Sequence, residues 1–220
     1  MQKLYKAVLF LYNMKKRVMI TSIFSARAIK LAITKLSPDK VICVVERGYD
    51  KLTGEDSEKK RKAIDELKSG FGDILTIEIL ETESLYNLYE ITKDVINKID
   101  ELSKDYDIYI HISEGRKTLA FGLSFASYMR RKNIKGIYYV KTEDNELMKL
   151  PLFNFPVNIS QKEILKYIGE GYDNIEILIT KTGKSRSIVY QYVKELLEDG
   201  YITNEEEKLG LADLGRIMIL

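Results

Sequence analysis

The run Lys40-Val41-Ile42-Cys43-Val44-Val45-Glu46 narrows the folds open to this chain more than any other segment. A near-continuous Val/Ile stretch of this length reads as a strand buried on both faces, the setting of a parallel sheet covered by helices on each side. The surrounding sequence alternates to match. Arg17 to Ile23, Asp73 to Leu80, Tyr106 to Ile112 and Gly136 to Lys141 carry strand patterns. Ser25 to Leu36, Glu55 to Ser69 and Ser84 to Leu102 read as the intervening helices, the last with Leu85, Leu88, Val95, Ile99 and Leu102 on one stripe. The turn Glu143-Asp144-Asn145 starts a hairpin back through Leu147 to Leu150. Residues 16–150 therefore form an α/β domain with a Rossmann-like, mostly parallel sheet and an antiparallel edge.

Within that pattern the segment Asp107 to Thr118 stands out for chemistry. An alternating strand ends in Ser113-Glu114-Gly115-Arg116-Lys117-Thr118, and a helix with a broad apolar face (Leu119, Phe121, Leu123, Phe125, Ala126, Met129) follows. The carboxyl end of a parallel strand is where α/β sheets bind ligands, and the free N–H groups of a new helix favour an anion. The turn thus predicts a phosphate-bearing ligand. The plain alternative is a helix start with no ligand, Ser113 capping and Lys117 solvated.

With 220 residues and 45% hydrophobic content, the chain has room for one full domain and a smaller second one. Its net charge of +2 selects no partner, but the distribution does. From Val157 onward 8 Lys/Arg face 11 Asp/Glu, a net of −3, which leaves +5 on the larger part. A basic larger part suits a polyanionic ligand there and counts mildly against nonspecific DNA binding by the C-terminal part. The lone cysteine, Cys43, excludes an internal disulfide and reads as a core thiol. His111 is the only histidine, neither residue has a neighbour at metal-ligand spacing, and no metal site or cofactor is expected. His111 itself reads as an ordinary strand residue. No segment reaches the ~18 apolar residues a membrane span needs. Leu4 to Tyr12 lacks the cleavage pattern of a signal peptide, Met14 looks a more natural start, and a cytoplasmic protein is expected.

Two of the three prolines, Pro151 and Pro156, bracket Leu152-Phe153-Asn154-Phe155 and mark a linker over 151–157, whose aromatic pair would pack between domains. Beyond it, over 158–220, the periodicity changes. Ser160 to Glu163 is a helix-start signature with Ser160 as cap. A second helix spans Asn174 to Thr180, Gly183 gives a turn, and a third helix opens at Ser185 and runs through Val189, Val193 and Leu196 to Gly200. Tyr201 to Thr203 and Leu209 to Leu211 flank a charged turn, Asn204 to Lys208, and a closing helix starts near Ala212. That order predicts a winged helix-turn-helix domain. With Val189, Val193 and Leu196 inward, the third helix exposes Arg186, Ser187, Tyr190, Gln191 and Lys194. Together with Lys181, Lys184 and Ser185 these are the candidate contacts to double-stranded DNA. The competing reading is a protein-binding module, and Glu205-Glu206-Glu207 would keep the hairpin tip away from phosphates.

A Rossmann-like domain with a Ser/Thr-x-Gly-Arg/Lys turn after its fourth strand, followed by a winged helix, resembles the CRISPR-associated Rossmann-fold (CARF) regulators. It is most similar to the archaeal regulators of CRISPR loci. The likeness rests on two turns, Thr21-Ser22-Ile23-Phe24-Ser25-Ala26-Arg27 and Ser113 to Thr118, and on their order with the C-terminal domain. The resemblance implies a homodimer in antiviral defence that binds cyclic oligoadenylate, typically the four-adenylate ring, across its two-fold axis and regulates transcription. It places Ser113, Gly115, Arg116 and Lys117 on ligand ribose and phosphate, counts Glu114 and Thr118 of the same turn as ligand-binding, and has Thr21, Ser22 and Arg27 line the same cleft. Glu114 departs from the family's commoner glycine pair, and a carboxylate there is unfavourable unless it pairs with Arg116 or hydrogen-bonds the ligand. The resemblance also opens a second activity, linearisation of the ring without metal, in which Arg116 or Lys117 would stabilise developing charge. The absence of any general-base pair speaks against that enzyme. A dinucleotide dehydrogenase is excluded further, because Ser22 to Arg27 contains no glycine.

Overall fold

Val41 to Val45 are all buried, and the strand that carries them, β2 (Lys40–Glu46), lies inside a six-stranded sheet. The computed structural model describes residues 15–141, 143–152 and 157–220. The other strands are β1 (Lys16–Ser22), β3 (Thr76–Thr82), β4 (Tyr106–His111), β5 (Ile134–Lys141) and β6 (Glu146–Leu150), in the order β3-β2-β1-β4-β5-β6. Neighbours through β5 are parallel, and β6 returns antiparallel as the edge. The sheet is thus the mostly parallel α/β arrangement that the alternating sequence predicts.

Helices α1 (Arg27–Leu36) and α2 (Glu55–Phe71) share one core with Met19, Val41, Cys43 and Val45, contributing Ile29, Ile33, Ile64 and Leu67. Period-two alternation sends Val18, Ile20, Ile42, Val44, Ile108 and Ile110 to the opposite face. There α3 (Leu88–Leu102) and α4 (Lys117–Met129) pack on one another. Their approach depends on Gly122, where a Cβ would stand 2.3 Å from Ile91 Cγ2. The apolar face of α4 is broad because this helix touches both the sheet and α3.

Several element starts differ from the sequence reading. Helix α1 begins at Arg27, since the Ser25 hydroxyl donates to Glu114 instead of capping. Helix α3 begins at Leu88 with Asn87 as cap; Ser84 accepts from Tyr86 N at 3.2 Å and makes a turn. Strand β3 starts at Thr76 because 73–75 form a tight connection, with Leu75 N bonded to Phe71 O.

The chain divides into two compact units between Leu152 and Phe153. The second contains α5 (Ile159–Gly169), α6 (Ile175–Thr182), α7 (Arg186–Glu198), a hairpin of β7 (Ile202–Glu205) and β8 (Lys208–Leu211), and α8 (Asp213–Met218). Here Ser160 is not the cap. Asn158 accepts from Gln161 N at 2.8 Å, and Gln161 reciprocates to Asn158 N at 3.0 Å. Gln161 also donates to Glu195 at 2.7 Å, while Glu163 is taken by Lys184, so tertiary partners select the earlier of two overlapping capping boxes. Gly183 ends α6 in the left-handed region (φ 65°), as the glycine turn predicts. The hairpin is tighter than its charged sequence suggests, turning on Glu206 and Glu207 alone (φ 50° and 63°). Expectations placed on Phe153, Phe155 and the residues before Lys15 lie outside the described residues.

Candidate functional site

Strands β1 and β4 are neighbours in the sheet but not in sequence, and the winding reverses between them. Their carboxyl ends therefore open the crevice where sheets of this order hold ligands. The two turns singled out in the sequence both emerge there. Glu114 ties them together: it accepts from Ser25 N at 3.2 Å and from Ser25 Oγ at 2.9 Å. It does not pair with Arg116. Gly115 sits at φ 82°, where a side chain is strained, and a Cβ would lie 3.4 Å from Ser22 Cβ and 3.5 Å from Ile23 O. Those distances are ordinary contacts, so it is the backbone angle and not the space that calls for glycine in this turn.

Ser113 does not cap α4. Its Oγ accepts from Val140 N at 2.6 Å, fixing the turn to β5, and the cap position falls on Arg116 with no side-chain bond. Thr118 donates to Leu85 O. Arg116 donates to Asp56 Oδ2 at 3.0 Å and lies over the Tyr86 ring, 4.8 Å from its centroid. Lys117 and Arg27 are exposed. Thr21 and Ser22 are fully buried. Neither side chain therefore reaches the surface, where the resemblance would have them line a cleft.

Thr21 Oγ1 donates to Ser22 O at 2.8 Å and lies 2.8 Å from His111 Nδ1, so the imidazole must donate to the threonine from Nδ1. The ring is wholly enclosed, its Nε2 has no partner among the described residues, and burial pushes its pKa down to about 4. His111 is neutral at physiological pH and out of reach of an external ligand, in keeping with its reading as a strand residue.

Electrostatics distinguish this edge of the sheet. Helices α1 and α4 have no acidic residue in the first turn and no side-chain cap, whereas α2 carries Glu55, Asp56 and Glu58 and α3 carries Glu90. Two uncapped helix N-termini and three cations, Arg27, Arg116 and Lys117, converge beside the switch point. That combination favours an anion. Ser25 lies within the first of the two turns, but nothing in the sequence marks Asp56 or Tyr86 as part of the site, although an acidic residue opening α2 is visible.

In the second unit Val189, Val193 and Leu196 are buried, and Ser185, Arg186, Ser187, Tyr190, Gln191 and Lys194 are exposed, as helical spacing predicts. The cations there are engaged by acids or rings. Lys184 pairs with Glu163 at 2.7 Å, Arg186 with Glu176, and Lys194 with Glu198 at 3.7 Å. Lys181 donates to Tyr172 OH at 3.0 Å, and Gln191 donates to Glu195 at 2.9 Å. Among the described residues no cluster could hold a metal ion, and no helix is long and apolar enough to cross a membrane.

Among solved structures, the chain is similar to Enterococcus italicus Csm6 bound to cyclic hexa-2′-fluoro-hexa-dAMP, with TM-score 0.51 and 14% identity over 84% of this chain and 55% of that one. The chain therefore spans about half the length of that Csm6, with which it shares the Rossmann-like fold. Weaker likenesses are to Can2 from Sulfobacillus thermosulfidooxidans in complex with cyclic tetra-adenylate (TM-score 0.42, 12% identity, 92% of this chain and 63% of that one) and to VC1899 from Vibrio cholerae (0.44, 11%, 92% and 64%). No curated protein matches the sequence significantly. Residues 18–145, from β1 to the turn before β6, match the family model described as HFX_2341_N:-like, N-terminal. With more than half of its length matched, the chain belongs to that family.

Proposed function

We propose that this chain is a CARF-type sensor of cyclic oligoadenylate that acts as a homodimer and regulates transcription through a C-terminal winged helix. The observation that carries the ligand is the placing of Arg27, Arg116 and Lys117 at two helix N-termini beside the β1/β4 switch point, neither helix having an acidic residue in its own first turn or a side-chain cap. A ring of nucleotides presents several phosphates around a symmetric frame, and one such rim per subunit, repeated by a two-fold axis, matches a ring better than a single mononucleotide. The ligand of the similar Csm6, a cyclic hexanucleotide of adenine, supports the class. Cyclic tetra-adenylate is the ring the regulator resemblance implies. No metal or further cofactor enters the proposal.

In this reading residues 16–150 bind the ring, 151–157 link, and 158–220 bind double-stranded DNA. Three helices with Gly183 between the second and third, followed by a hairpin, support that reading of the second unit. Calorimetry with cyclic tetra-adenylate, cyclic hexa-adenylate and their linear counterparts tests it. One ring per two chains, with linear forms much weaker, is the expected result; equal affinity for linear and cyclic forms rejects ring sensing.

A further inference from the structure

Arg116 is poorly matched to the partner it has. A guanidinium binds a carboxylate or phosphate best through two parallel N–H bonds, yet Asp56 accepts only one, from a terminal nitrogen at 3.0 Å. The neighbouring Nε is shut off from solvent and has no partner among the described residues, which is a costly state for a donor. Tyr86, 66% exposed, lies against the guanidinium, with its ring centroid 4.8 Å away. The ion pair itself is open to water, with 37% of the arginine and 50% of the aspartate side chain exposed. Such a pair is weak and easily exchanged. Three successive connections meet here: Asp56 opens α2, Tyr86 precedes α3, and Arg116 precedes α4.

We infer that Asp56 is a displaceable latch on Arg116, released when a ligand phosphate takes Nε and the terminal nitrogen together. The inference rests on the ring-binding reading above and assigns the residue that sets its threshold. The phosphate must outcompete a carboxylate already in place, so Asp56 weakens binding. It also raises selectivity, because only a ligand that offers two oxygens to the guanidinium gains both bonds.

The test is calorimetry of the full chain with cyclic tetra-adenylate and cyclic hexa-adenylate. Wild type is compared with Asp56→Asn and with Glu58→Gln, which removes a charge from the same helix turn. Asp56→Asn is expected to tighten binding about threefold to fivefold, the span of one exposed ion pair, and Glu58→Gln less than about twofold. A second readout needs no ligand: the Arg116 Nε–H resonance shifts in Asp56→Asn and stays in place in Glu58→Gln. Binding by wild type with Asp56→Asn unchanged, or with Glu58→Gln equal to it, overturns the latch and leaves the sensor standing. If neither wild type nor Asp56→Asn binds either ring, the sensor reading fails and the latch with it.

Discussion

A neutral imidazole sealed at the carboxyl end of β4 makes stability depend on pH. The His111 pKa lies near 4 in the folded chain against 6.5 when exposed, so the unfolded state binds the extra proton between those values. The stabilisation is complete above about pH 6.5 and is lost as pH falls toward 4. By pH 4.5 the loss amounts to roughly 2–3 kcal/mol. Denaturant titrations at pH 7 and pH 4.5, on wild type and His111→Asn, check this; the variant should lack that part of the acid sensitivity. Glu114 gives a second residue-scale prediction. Glu114→Ala removes both bonds to Ser25, and at about 0.5–1 kcal/mol for each solvent-exposed bond it should destabilise the chain by roughly 1–2 kcal/mol. An unchanged melting midpoint would show the clamp to be idle. The charge conflict at Glu114 was legible in the sequence, but its resolution was not, because Ser25 lies 89 residues away. Asp56, 60 residues before Arg116, was hidden for the same reason. Contiguous turns reveal which groups leave a strand end, whereas the partners that meet them come from separate connections.

Among the elements, β2 and α4 show what a pattern can and cannot carry. The limits of β2 follow from the sequence alone because burial on both faces leaves no polar position within it. Helix α4 was recognisable, yet the place where it crosses α3 was not. Gly122 reads as an unfavourable residue in a helix interior until Ile91 is found against it. Replacing glycine by alanine in an exposed helix gains about 1 kcal/mol from propensity alone. At Gly122 the added Cβ would be 2.3 Å from Ile91 Cγ2, and overpacking of this kind costs typically 1–3 kcal/mol. Gly122→Ala should therefore be destabilising, and because Ile91→Ala removes the clash, the loss in the double variant should fall short of the sum of the two single losses, as thermal melts of the three variants would reveal. The caps tell a similar story. Two boxes overlap at the start of α5, and only the contact of Gln161 with Glu195 selects Asn158 over Ser160. Local chemistry restricts the choice to two, and tertiary structure makes it.

For the whole molecule, periodicity and charge change in the sequence near residue 157, and the fold separates into two compact units between Leu152 and Phe153. Less readable was how thoroughly the second unit neutralises its own cations. Lys184, Arg186 and Lys194 each meet a carboxylate, and the hairpin turn presents Glu206 and Glu207. If α7 reads DNA as proposed, those ion pairs must open on binding, and the glutamates must lie near phosphates or avoid them. Each phosphate contact contributes about −0.9 to the slope of log affinity against log salt. Four cations per chain, Lys181, Lys184, Arg186 and Lys194, therefore set an upper bound, and their internal pairing should hold the measured slope well below it. Glu205, Glu206 and Glu207 changed together to glutamine should tighten binding to a promoter fragment if the hairpin approaches the backbone, with the gain largest at low salt. Arg186→Ala should weaken binding and make the slope shallower by about one unit per chain. Fluorescence anisotropy across a salt series reads both effects. A chain that binds no duplex even at ~50 mM salt, where phosphate contacts are strongest, and that retains a stable protein partner in pull-downs would instead make the α7 face a protein-docking surface. The acidic hairpin would then be its recognition element rather than an obstacle.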